Sequence, residues 1–381
     1  MSNRSSRRRL AGRGWFRSFG VISMIAIGLL LYVGLTFGFS SRVAAAPSSP
    51  GPTQSGGTHP TLGVYAGNQN AAGVASFAST TGANVTMAEV YLPWQAYTGA
   101  LYGSQTGWGY LTTEVTLSSW LSSWAGTSDQ MVIGVPMVAL DASGDPENTL
   151  AQGAAGDENS AFVAIAKNLV TLGFGSAILR LGWEFDGTWY PWSVQSNADA
   201  ANFATYWQNI VTAMGSVPGA NFKFLWSPAG FQSLSWNINA AYPGDSYVDA
   251  VSFDVYDWSW DSSIFPGGDP HNTATVAQSN AVFHDLLTDT EGLNWLASFA
   301  QAHQKQLVIP EWAVNDRNDG HGLGDDPTFI NNMSNWMVAN HVVWSIYFVD
   351  NPTDNANQGI DFLLTNGNFP NSLTAFKADF G

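Results

Sequence analysis

Two glutamates occupy positions where an acidic side chain is hard to accommodate. Glu311 closes the apolar run Gln306-Leu-Val-Ile-Pro, and Glu184 follows Arg180-Leu-Gly-Trp. A carboxylate buried in a strand is costly unless it is paired or does chemistry. Pairing is one explanation: Arg180 stands near Glu184, while only Lys305 and Arg317 lie within ten positions of Glu311. The other explanation is a division of labour between two facing carboxyls. One is kept protonated by apolar walls and a negative neighbour, the other is kept ionised by a cation. Such a pair suits hydrolysis of a glycosidic bond.

Elements must bring the two together. Short β-prone runs at 62–66, 85–92, 131–138, 177–185, 222–227, 250–256, 306–311 and 343–349 alternate with helical patterns such as 160–172, 199–214, 293–303 and 327–340. Eight strands separated by helices predict an α/β fold, a single (β/α)8 TIM barrel. An open doubly wound sheet is disfavoured, because no Gly-rich phosphate loop follows the first strand and no Walker-type sequence occurs. Glutamates 184 and 311 then close the fourth and seventh strands, at the carboxyl ends where barrel active sites assemble. Strand alternation places Arg180, Gly182 and Glu184 on one face.

Aromatic residues supply a further signal. The chain has 17 Trp, 12 Tyr and 22 Phe, many just beyond strand ends: Trp94 and Tyr97, Trp108 and Tyr110, Trp189 to Trp192, Trp226, Tyr256 to Trp260, Trp312 and Trp344. Aromatic faces pack against the C–H faces of sugars, although any single one is as readily a core residue. The candidate substrate-binding set is Arg180, Trp183, Trp189, Trp192, Trp226, Tyr256, Trp312 and Trp344.

Four stretches together resemble glycoside hydrolase family 26, whose best-known members are endo-β-1,4-mannanases. They are 180–192, similar to the family's acid/base segment; 222–228, ending Leu-Trp-Ser-Pro; 242–256, the sixth strand and its lead-in; and 308–312, similar to the nucleophile strand. The resemblance implies a retaining mechanism with Glu184 as acid/base and Glu311 as nucleophile. It further implies that Tyr256 hydrogen-bonds the nucleophile, that Arg180 supports the site from below, and that Trp189 and Trp192 are sugar platforms. The chain departs from the pattern at Trp183, where the family has His, and at Asp186, where Asn is common. Loss of that polar neighbour leaves mixed-linkage glucan and xylan open beside mannan.

Composition sets the surroundings. The formal charge is −16, yet residues 1–45 hold seven arginines and no acid, so the rest carries six basic against 29 acidic residues, a net −23. Such a body repels nucleic acid and anionic lipid and suits a neutral polysaccharide. Residues 1–45 read as a signal peptide or membrane anchor: a basic stretch, an apolar run over 19–39, then Val43-Ala-Ala-Ala-Pro with a cleavage point after Ala45. The run is longer than most signal peptides and long enough to span a bilayer, so secretion and an extracellular membrane tether are both expected outcomes. Residues 46–57 read as a flexible linker and 58–381 as the catalytic domain, a monomer. No cysteine is present, which excludes disulfides and thiolate chemistry. The six histidines lack zinc-ligand spacing, and the loop holding Asp316, Asp319, Asp325 and Asp326 lacks an EF-hand pattern, so neither a metal nor any other cofactor is expected. Two other functions fit a barrel of this composition: a non-catalytic cell-surface carbohydrate-binding protein, and a transglycosidase of exopolysaccharide assembly.

Overall fold

In a computed structural model, eight strands run parallel and close on themselves. They are β1 (Thr61–Tyr65), β2 (Val85–Tyr91), β3 (Gln130–Val135), β4 (Ile178–Leu181), β5 (Lys223–Trp226), β6 (Ala250–Tyr256), β7 (Gln306–Ala313) and β8 (Trp344–Phe348). Each pairs with its chain neighbours, and β8 returns to β1. The structure describes residues 59–95, 98–99, 103–104, 107–267, 271, 273–350 and 359–381, all within the unit spanning 54–381. The leader or anchor over 1–45, its apolar run at 19–39, the linker at 46–57 and Tyr97 lie outside the described residues. Among those described, no helix is long and apolar enough to cross a membrane.

Helices wrap the barrel: α1 (Ala71–Thr81), α2 (Gly107–Leu111), α3 (Glu114–Trp120), α4 (Leu150–Ala155), α5 (Asn159–Thr171), α6 (Asn197–Gly215), α7 (Val276–Thr288), α8 (Leu293–His303), α9 (Pro327–Ala339) and α10 (Pro370–Phe380). Their starts are written in the sequence. Thr149 with Gln152 and Thr275 with Gln278 form capping boxes on α4 and α7, and Asp326 caps α9 with Pro327 just inside.

The parallel strands present two kinds of face. Outward residues such as Ile133, Leu179, Ile309 and Trp312 join the main core under the helices. Inward residues form a small separate cluster of Met87, Val132, Leu225, Ala250, Val308, Trp344 and Ile346. Above that plug the inward positions turn polar: Glu89 and Tyr91 on β2, Arg180 on β4, Ser252, Asp254 and Tyr256 on β6. The period of two continues through this change of chemistry, so the polar layer sits at the carboxyl ends of the strands.

Candidate active site

Arg180 is the hub of the polar layer and is fully buried. Its Nε donates to Ser227 Oγ at 2.8 Å. Nη1 donates to Tyr91 Oη at 2.7 Å, to Glu89 Oε1 at 3.2 Å and to Glu311 Oε1. Nη2 reaches both oxygens of Asp254, at 2.6 and 2.5 Å. Burial alone would lower the guanidinium pKa, but Asp254, Tyr91, Glu311 and Glu89 outweigh it and hold it well above its ordinary value. The basic partner of Glu311 is thus this residue of β4, 131 positions away in the chain.

Glu311 enters the barrel through an irregularity in β7. Val308 faces inward, so simple alternation would put Pro310 inward and Glu311 outside. Ser252 pairs with Val308, but Asp254 pairs with Glu311, so β7 carries one extra residue at Ile309-Pro310. A bulge of this kind re-aims the following side chain, and Pro310 needs no ladder hydrogen bond there. Once inside, Glu311 accepts from Tyr91 at 2.5 Å, from Tyr256 and from Arg180. Three donors from three strands fix its orientation.

Glu184 arrives by a different route from the strand alternation expected above. Strand β4 ends at Leu181, not at Phe185. Gly182 and Glu184 both take left-handed backbone, with φ of 48° and 52°. The chain therefore curls over the barrel mouth instead of running on straight. The Glu184 N–H donates to Ser227 O at 2.8 Å, beyond the end of β5. One turn further, Asp186 accepts from the N–H groups of Ala229 and Gly230, at 2.6 and 3.0 Å. A non-glycine residue at this φ costs on the order of 1–3 kcal/mol, and the backbone and Asp186 bonds hold it there.

Glu184, Asp254 and Glu311 offer carboxylate oxygens that all lie within 4.8 Å of one another. Three such ligands could hold a cation, yet Arg180 already bridges Asp254 and Glu311. Burial first, then the Glu311 charge, raises Glu184 to about 7, against the pull of Arg180 and of a 2.7 Å bond from Trp189 Nε1. Burial likewise raises Asp254 well above its usual range, and Asp254 shares a hydrogen bond with Glu184. Glu89 is pushed to about 8, chiefly by burial. Three of the four carboxyls are thus driven toward the protonated form around one guanidinium.

Of the sequence-derived candidates, Glu184, Glu311, Arg180, Tyr256 and Trp189 meet at this site. Trp189, 52% exposed, remains available as a platform. The other tryptophans require correction, because their faces are covered by protein. Trp192 is fully buried and donates to Trp183 O at 2.8 Å. Trp226 stacks on Phe299 and Trp312 packs against Phe376, both in the outer core. Trp344 belongs to the plug inside the barrel. Trp183 lies buried among Tyr91, Trp94, Tyr190 and Trp192, with ring centroids 4.6–5.7 Å away. It backs Tyr91, and Gly134 leaves room for both rings; a Cβ there would sit 2.4 Å from Tyr91 and 3.3 Å from Trp183.

Sequence reasoning missed Glu89, Tyr91 and Asp254. The signal was available, since Glu89 and Asp254 are acids in the middle of buried strands, as Glu311 is at the end of one. The aspartates of the 316–326 loop do not converge. Asp316 pairs with His271, Asp319 with Arg317, Asp325 caps the start of α10 through Ser372, and Asp326 caps α9.

Comparison with known proteins follows the same lines. The model of "Glycosyl hydrolase family 26" matches residues 162–266, a span that holds Arg180, Glu184, Asp254 and Tyr256. A mannan endo-1,4-β-mannosidase of Bifidobacterium adolescentis is 33% identical over 82 residues, covering 21% of this chain and 8% of that protein. Among solved structures, GH26C from a Muricauda species aligns at 16% identity over 84% of both chains, with a TM-score of 0.55. A Cellulomonas fimi endo-β-1,4-mannanase double mutant aligns at 15% identity over 85% of this chain and 70% of its own, with a TM-score of 0.56. These structural likenesses establish a shared barrel. The match over 162–266 likens that part of the chain to glycosyl hydrolase family 26.

Proposed function

We propose that the protein is an exported retaining endo-β-glycanase that hydrolyses a β-1,4-linked polysaccharide, with β-mannan as its substrate. The observation that carries this reading is the Glu184–Glu311 pair at the barrel mouth, with one carboxylate oxygen of each within 4.8 Å of the other. Retaining glycosidases place their carboxyls about 5–5.5 Å apart, whereas inverting ones leave about 6.5–9.5 Å for a water. The close spacing supports a direct attack by Glu311.

In the first step the protonated Glu184 donates to the glycosidic oxygen as its bond to the anomeric carbon breaks. The Glu311 carboxylate attacks that carbon and forms a glycosyl ester. In the second step Glu184, now ionised, takes a proton from water; the water oxygen attacks the same carbon and Glu311 leaves. Asp254 steadies Glu184 between the two protonation states through their shared hydrogen bond. Tyr256, Tyr91 and Arg180 keep the nucleophile aimed. Mannan is favoured by the name of the Bifidobacterium relative. Trp183 gives a specific reason to test other glycans: it is buried, so the polar contact expected of a histidine there is missing. Export is supported by the basic and apolar pattern of residues 1–45.

Glu184→Ala and Glu311→Ala, assayed on mannan, mixed-linkage glucan and xylan, are expected to lose at least about 10²–10⁴-fold in kcat. Wild-type rates in either variant would contradict the assignment. Binding without sugar release from any glycan would favour a carbohydrate-binding barrel, and transfer to sugar acceptors in preference to water a transglycosidase.

A further inference from the structure

The strand that delivers Tyr256 continues into a second group of aromatic side chains that the reaction does not use. Trp258 lies 4.7 Å from the Tyr256 ring, and Trp260 lies 5.5 Å beyond Trp258. Between them sits the guanidinium of Arg317, 5.1 Å from one ring centroid and 5.2 Å from the other. Arg317 is locked in turn by a bidentate pair with Asp319, its Nε donating to Oδ1 at 2.9 Å and its Nη2 to Oδ2 at 2.6 Å. His321 stacks on Trp260 at 5.3 Å, and its Nδ1 contacts Ser259 O at 2.9 Å. Trp258 is half-buried, whereas Trp260 is 57% exposed.

A large ring left in water yet held by stacking, cation–π contact and a tied backbone is unusual, because an exposed side chain that only fills space has no need of such fixing. Rigidity before binding is what a recognition surface gains from, since less side-chain freedom is lost when a ligand arrives. The Asp319 carboxylate compensates the Arg317 charge, so the patch suits an apolar face more than an anion. It is continuous, ring by ring, with the hydroxyl that touches Glu311.

We propose that Trp258 and Trp260, braced by Arg317, form a distal sugar subsite on the β6–β7 rim. There the C–H face of a neutral β-linked glycan, a sugar or two beyond the cleaved bond, stacks on Trp260. The proposal rests on the glycanase reading for its ligand but not on the identity of the catalytic pair. Trp260→Ala is expected to raise KM on long β-1,4-manno-oligosaccharides about 5- to 10-fold, with kcat held, and the rise diminishes as the oligosaccharide shortens. Trp260→Phe, which keeps an aromatic face, recovers most of the loss. Val115→Ala, at another exposed apolar side chain on α3, leaves both constants at wild type. Calorimetric titration of Glu311→Gln protein with the same oligosaccharides, with and without Trp260→Ala, separates binding from turnover. Weakened binding in the double variant, even if the wild type cleaves none of these glycans, supports the subsite while removing the catalytic reading. KM and affinity unchanged at every length would overturn the subsite and leave the catalytic reading standing.

Discussion

At the scale of single residues the proposed reaction turns on where one proton sits. In the proposed mechanism Glu184 must be protonated to start the reaction, and the raising of its pKa to about 7 would then set the alkaline limit. The rate is expected to fall as pH rises through about 7, because the ionised carboxyl has no proton to give. Trp189 lowers that pKa by donating to Oε2. Trp189→Phe removes the donor, so the alkaline limb of the kcat profile should move to higher pH. A loss of sugar stacking alone would change KM and leave the limb in place, so the profile distinguishes the two roles. Legibility at this scale was uneven for a physical reason. Glu184 and Glu311 stand out because charge at a strand end is conspicuous, and Tyr256 followed from the family resemblance. Burial of Trp183, Trp192, Trp226, Trp312 and Trp344 could not be read, because a tryptophan after a strand fits a cleft wall and a core equally well.

At the scale of elements, two departures from regular strand geometry aim the carboxyls. The eight strands were legible from their alternation with helices. The extra residue in β7 and the left-handed turn after β4 were not, since a pattern of period two has no term for either. Pro310 inside a buried strand was the hint for the first. Gly182 was the hint for the second: a Cβ there would lie 2.6 Å from Met137 Sδ and hold an unfavourable φ of +48°. Gly182→Ala should destabilise the protein by about 1–3 kcal/mol or more in urea unfolding, with a parallel loss of activity. The loop is tied down further by Asp186, which burial raises to about 6 despite two backbone donors. Its folded pKa exceeds the usual carboxylate value, so its contribution to stability is full below that value and is lost as pH rises through about 6. Asp186→Asn removes the charge and keeps one of the two acceptor oxygens, the other being replaced by an NH2 that faces an N–H. The variant should lose less Tm than the wild type across that window; parallel pH–Tm curves would show that Asp186 is not responsible.

At the scale of the whole molecule, the cluster of Glu89, Glu184, Asp254 and Glu311 around one arginine is an acidic centre in an acidic body. The chain beyond residue 45 carries a net −23, and such self-repulsion opposes the compact state. Raising ionic strength from about 0.01 to 0.1 M shortens the screening length from about 30 to about 10 Å. Tm should therefore rise over that interval, and a flat or falling Tm would show that the repulsion is already compensated. The same charge repels polyanions and suits the neutral polymer proposed as substrate. In the proposed mechanism Glu184 and Glu311 stand close enough for attack by the protein itself, with no water between them. Proton NMR of the first-formed sugar from a β-1,4-manno-oligosaccharide, followed before mutarotation, reads this directly. A β-anomer at the new reducing end is the predicted result, and an initial α-anomer would contradict it.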